Sequence, residues 1–103
     1  MLWLNKAKDF LAAIAAKDQD FFEQCLDPDV EFIAEGDCVR GKTMLINSLL
    51  SLPIRTKIQI NNSAYNDKYI FLEYSLINEN GKRNDNVMTV EFKHDKIIRV
   101  REY

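Results

Sequence analysis

The sequence predicts an α+β domain, three helices followed by a curved antiparallel meander of strands. Three observations carry that prediction. Apolar residues recur at helical spacing through much of the first half of the chain, alternation takes over from residue 54, and an Asn80-Gly81 pair separates two strand-like runs. With 103 residues the chain has the length of one domain, residues 1–103. Folding should bury roughly 65% of the unfolded surface, enough for one modest core.

The first helix is read from Trp3, Ala7, Phe10 and Ile14, with Leu4 and Leu11 widening the stripe. Asp18 can cap a short second helix through its carboxylate and the free N–H groups that follow, and Phe21, Phe22, Cys25 and Leu26 form the buried side. Asp27-Pro28-Asp29 ends it, because Pro28 disfavours helical backbone at the residue before it. Residues 30–34 read as a strand, and Gly36 and Gly41 bracket a loop. A third helix covers 42–52, with Leu45, Leu49 and Leu52 on one side and Ile46 and Leu50 beside them, and Pro53 closes it. From 54 to 65, Ile54, Thr56, Ile58 and Ile60 alternate with Arg55, Lys57, Gln59 and Asn61, a strand that buries one face. Asn66-Asp67-Lys68, Asn80-Gly81 and His94-Asp95-Lys96 are turns separating strands over 69–78, 85–93 and 97–103. FLAAIAA at 10–16 could pass for a signal-peptide core, but Asp9 interrupts the basic region before it and the run keeps a helical period, so it is read as structure.

Composition excludes several functions. Lysines and arginines number 14 against 16 acids, with no basic stripe, so no nucleic-acid partner is expected. No run reaches the roughly 20 apolar residues that span a bilayer, so no membrane partner is expected either. Cys25 and Cys38 lack a Cys-x-x-Cys spacing and His94 is the single histidine, which argues against a zinc site. No metal and no cofactor is expected. The cysteines read as free thiols of a reducing cytoplasm, with a Cys25–Cys38 disulfide left open.

The run YIFLEYSLI (69–77) is apolar on both faces. Tyr69, Phe71, Glu73, Ser75 and Ile77 share one face, which is expected to pack inward. Ile70, Leu72, Tyr74 and Leu76 share the other, which then needs a second cover. The simplest cover is another copy of the sheet, so a homodimer through this outer face is expected, the alternative being helix or tail residues of the same chain.

FLAAIAAKDQDFFEQCLDPDVEF, the helix start Gly41-Lys42-Thr43-Met44-Leu45-Ile46 and the ending VEFKHDKIIRVREY together resemble the nuclear transport factor 2-like (NTF2-like) superfamily, in its SnoaL-like and ketosteroid-isomerase-like branch. The resemblance covers nearly the whole chain. It implies a cone: three N-terminal helices in the concave face of a strongly curved, mostly antiparallel sheet, with a pocket at the open end and dimers formed through the convex face. It also implies where catalytic groups would stand. The isomerase tyrosine falls on Phe10, the carboxylate base on Phe32 or Ala34, and the second oxyanion donor on Met88. None can do that chemistry, so the steroid-isomerase route is disfavoured.

Five acids crowd residues 27–37. In the strand 30–34, Val30, Phe32 and Ala34 share a face opposite Glu31, and turning Glu31 inward would expel Phe32. These acids are therefore read as solvated, the alternatives being a calcium site, against which they lack a metal-binding loop pattern, and a pocket-rim role for Glu35. Glu73 and Glu102 are different. Each is expected on an inward face, Glu102 behind Ile98 and Val100, where apolar walls would favour the protonated acid and make it a candidate acid or base. His94 reads as an exposed turn residue. Trp3 is placed near the pocket mouth, as lid, core or stacking group.

The expected pocket wall is Phe10, Phe32, Met88, Val90 and Val100, with Trp3 at the mouth and Glu73 and Glu102 as polar contacts. Three functions stay open: a domain binding a small hydrophobic ligand, an isomerase, dehydratase or hydrolase using Glu73 or Glu102, and a protein-interaction module whose pocket is filled by its own side chains.

Overall fold

A computed structural model describes residues 2–52 and 57–103. The elements run α1 (Leu2–Ala16), α2 (Gln19–Cys25), β1 (Leu26–Ala34), β2 (Asp37–Arg40), α3 (Lys42–Leu50), β3 (Lys57–Tyr65), β4 (Tyr69–Ile77), β5 (Arg83–Lys93) and β6 (Lys96–Glu102). Expectations at Pro53, Ile54, Arg55 and Thr56 lie outside the described residues. None of the described helices is long and apolar enough to cross a membrane.

Helix α1 buries Ala7, Phe10, Leu11 and Ala13, the face the spacing predicts. It ends at Lys17, whose φ of 54° lets Asp18 N–H reach Ala13 O at 3.0 Å and Lys17 N–H reach Ile14 O at 3.4 Å. The Lys17 ammonium then donates to Leu50 O at 2.9 Å, tying the end of α1 to the end of α3. Asp18 accepts from Phe21 N–H at 3.1 Å, the expected cap of α2. Lys42 and Lys96 donate to the carbonyls of Glu23 and Gln24, which the end of α2 leaves without helical partners.

The strands form one sheet in the order β2-β1-β6-β5-β4-β3. Among the described strands, only β1 and β6 pair in parallel. Register shifts interrupt β1/β6, β3 and β5, and such bulges bend a sheet around its helices. Residues 37–40, read above as loop, instead add a short edge strand, with Phe32 opposite Val39. The β5–β6 turn has positive φ at His94 (51°) and Asp95 (63°), the geometry a two-residue hairpin requires, and His94 is exposed there.

The two faces of β4 are reversed relative to the sequence expectation. Ile70, Leu72 and Tyr74 are buried in the core and Leu76 packs against it, so none of the four is available to an outer interface. Phe71 and Glu73 are exposed on the opposite face. The physical reason is the hairpin register. Leu72 pairs with Met88 and Ile70 with Val90, and those β5 residues point into the core.

Candidate functional site

Cross-strand pairing arranges the inner face of the sheet in rows. The deepest row is Ile70, Val90, Val100, Phe32 and Val39. Next come Leu72, Met88 and Glu102, then Ile60, Tyr74 and Asn86, and last Ile58, Leu76 and Asn84. The rows change from wholly apolar to mixed as they approach the open end.

The deep rows do not form the wall of a pocket. Phe10, Val90 and Val100 are 0% exposed and Met88 is 1% exposed, so no water-sized void borders them. They are packed core. Phe32 is partly buried against that core. Trp3 is not at an open mouth: it stacks on Phe92 at 5.5 Å and its indole N–H donates to Asp95 Oδ1 at 3.3 Å, pinning α1 to the β5–β6 turn. Glu73 stands on the outer face.

Glu102 is on the inner face, as read from the sequence. Burial raises its pKa above the ordinary 4.5 by penalising the charged form. Its neighbour Tyr74, 2% exposed, is also raised, first by burial and then by the Glu102 charge. A raised folded-state pKa favours protonation in the fold. That contribution is complete below the unfolded value and is lost as pH climbs through the folded one. Glu102→Gln mimics the protonated acid, so its urea midpoint should exceed that of the parent at pH 7.5, with the gap closing toward pH 4.5. An equal gap at both pH values would show that Glu102 is not desolvated.

An apolar hollow opens beyond these rows. Its volume is about 230 Å³; Ile14, Ala15, Leu52, Ile58 and Leu76 form its walls and Asn78, Lys82 and Asn84 its rim. A second, more open hollow of about 400 Å³ shares Ala15 and Ile58 with the first and continues along α1 and β3 past Leu11, Ala12 and Ile60 to Lys8. Sequence reasoning missed this site because it assigned Leu76, one of its walls, to the other face.

The outer face is laddered with polar groups. Glu31 meets Arg40 at 3.7 Å and Arg99 at 3.5 Å, and Arg99 meets Glu91 at 3.0 Å. Glu31 thus points away from the core, as expected, while Glu35 and Asp37 are exposed. Buried Ser75 accepts from Asn61 at 2.7 Å and donates to Asp85 at 2.6 Å. That bond, then Arg83, holds the Asp85 carboxyl below its ordinary value. Between the polar groups stand exposed Phe71, Val87 and Tyr103. Cys25 and Cys38 are both free.

No family model and no curated protein matches the sequence. Solved structures do match in fold. An NTF2-like protein of unknown function from Cytophaga hutchinsonii aligns with a TM-score of 0.81 at 14% identity, covering 95% of this chain and 85% of that one. An uncharacterized cystatin fold protein from Novosphingobium aromaticivorans aligns at 0.82 and 22% identity, covering 97% and 96%. An LEH-like epoxide hydrolase from M. tuberculosis aligns at 0.80 and 20% identity, covering 97% and 80%. The chain has the NTF2-like fold.

Proposed function

We propose that this NTF2-like domain binds a small, mostly hydrophobic molecule in the hollow at the open end of its cone, and that it works as a homodimer joined through the outer face of the sheet. The observation that carries the first part is the pairing of five aliphatic walls with a polar rim, the usual composition of a small-molecule site. A volume of about 230 Å³ suits roughly ten non-hydrogen atoms at protein packing density. The dimer rests on Phe71, Val87 and Tyr103, three large apolar side chains left exposed on the sheet face opposite the helices.

A second reading is favoured by one observation. Glu102, desolvated beside Tyr74, has the environment of an acid or base held near its working protonation state. The NTF2-like fold houses an LEH-like epoxide hydrolase in M. tuberculosis, so the architecture itself permits reaction chemistry.

The binding reading is tested with the small neutral fluorescent probe 1-naphthol, which is of the size the first hollow admits. Saturable binding to the parent chain is expected. Ala15→Phe, placed where the two hollows join, should keep the circular dichroism spectrum and abolish the signal. Equal binding by parent and variant would remove the hollow from the account.

A further inference from the structure

We infer that the ligand is a free medium-chain fatty acid, its carboxylate at Lys82 and its tail over Ala15 and Ile58; this rests on the binding reading above. Charge is the first argument. The chain carries 16 acids, yet no carboxylate is among the described residues lining either hollow. Each hollow instead has one ammonium at its border, Lys82 for the first and Lys8 for the second. A cationic head group gains no ion pair from these residues, whereas an anionic one can pair with Lys82, an exposed side chain, at the modest strength of a surface ion pair.

Hydrogen-bond direction is the second argument. The side-chain oxygen of Asn78 already accepts from Asn80 N–H at 3.0 Å and Lys82 N–H at 2.9 Å. Backbone N–H groups can be met only by oxygen, so the group Asn78 has left to offer at the rim is its NH₂, a donor. With the Lys82 ammonium, which has no acceptor capacity, two of the three rim residues present donors to the ligand, and Asn84 can turn the NH₂ of its amide the same way. A carboxylate is acceptor-only and takes both.

The walls supply the third argument. Ile14, Leu52, Ile58 and Leu76 are aliphatic, and no aromatic side chain is among the described residues lining either hollow. The two hollows border each other at the shared residues Ala15 and Ile58. A tail too long for the first hollow continues into the second, so affinity should rise with chain length, by up to roughly fourfold for each fully buried methylene.

The test compares decanoate, decan-1-ol and decyltrimethylammonium, each below its micelle concentration, by calorimetric titration of the full chain, Lys82→Gln, Lys82→Glu and Ala15→Phe. Decanoate should bind most tightly. Lys82→Gln should weaken decanoate by about two- to fivefold and leave decan-1-ol unchanged, and Lys82→Glu should weaken decanoate further. Ala15→Phe should remove both. If decanoate and decan-1-ol bind alike and Lys82→Gln changes neither, the fatty-acid assignment falls while the hollow stands. Preference for the ammonium overturns it equally. If no decyl compound binds, the assignment and the hollow fall together.

Discussion

Leu72→Ala should destabilise the domain by about 2–5 kcal/mol, whereas Phe71→Ala should cost less than about 1 kcal/mol when measured on dilute protein. The two residues are adjacent and both large, so the contrast reports which face of β4 is the core. Leu72 is 0% exposed and pairs with Met88, so its removal leaves a cavity that packed neighbours cannot fill. Phe71 is 37% exposed and stands among Ala64, Thr89 and Arg101 on the outer surface. A domain of this size has only about 5–15 kcal/mol to lose, so Leu72→Ala should shift the urea midpoint severely. A dimer adds a concentration-dependent contribution at Phe71, while the Leu72 cost should persist at every concentration. Comparable losses at both positions, independent of concentration, would contradict the assignment of faces.

Phe71→Asp should abolish dimerisation while leaving the monomer folded. In an isologous interface each residue appears twice about the two-fold axis, so one substitution desolvates two carboxylates. The dissociation constant should rise by about a hundredfold or more, read by sedimentation velocity over a concentration series. Val87, 40% exposed, pairs with Glu73 in the next row of the same face, and Val87→Asp should act similarly. A dimer that survives both changes would place the interface elsewhere, and a parent chain that is monomeric at high concentration would remove the dimer altogether.

Much of the fold was legible because its signals are local. The apolar face of α1, the Asp18 cap and the alternation of Ile58 and Ile60 each follow from a few neighbouring residues. The direction of β4 was not legible from that strand alone, since apolar residues on both faces leave a period-two pattern without a sign. The missing information lay across the hairpin. The sequence pattern places Met88 and Val90 inward, and their pairing with Leu72 and Ile70 turns those residues inward as well. Only the loop geometry fixes that pairing: Asn78 N–H bonds to Lys82 O and Gly81 N–H to Asn78 O, so Ile77 meets Arg83. The strand at 37–40 was hidden for a related reason, because two apolar residues side by side between two charged ones at a sheet edge carry no alternation.

The site was legible in smaller part. Glu102 could be oriented from Val100, its partner two residues away on the same face. The hollow joins Ile14 and Ala15 of α1, Leu52 and the β4–β5 hairpin, residues distant in sequence whose meeting depends on the sheet register. The expected wall followed the positions where the resemblance places catalytic groups, and in the structure those around Phe10, Val90 and Val100 are filled as packed core.

The most direct measurement is a methyl-resolved NMR titration of the full chain with decanoate. Chemical-shift changes should gather on Ile14, Ala15, Ile58 and Leu76, with Val90, Val100 and Val87 unmoved. Shifts centred on Val87 and the neighbouring outer face, or no saturable shifts at all, would contradict a ligand site at the open end of the cone.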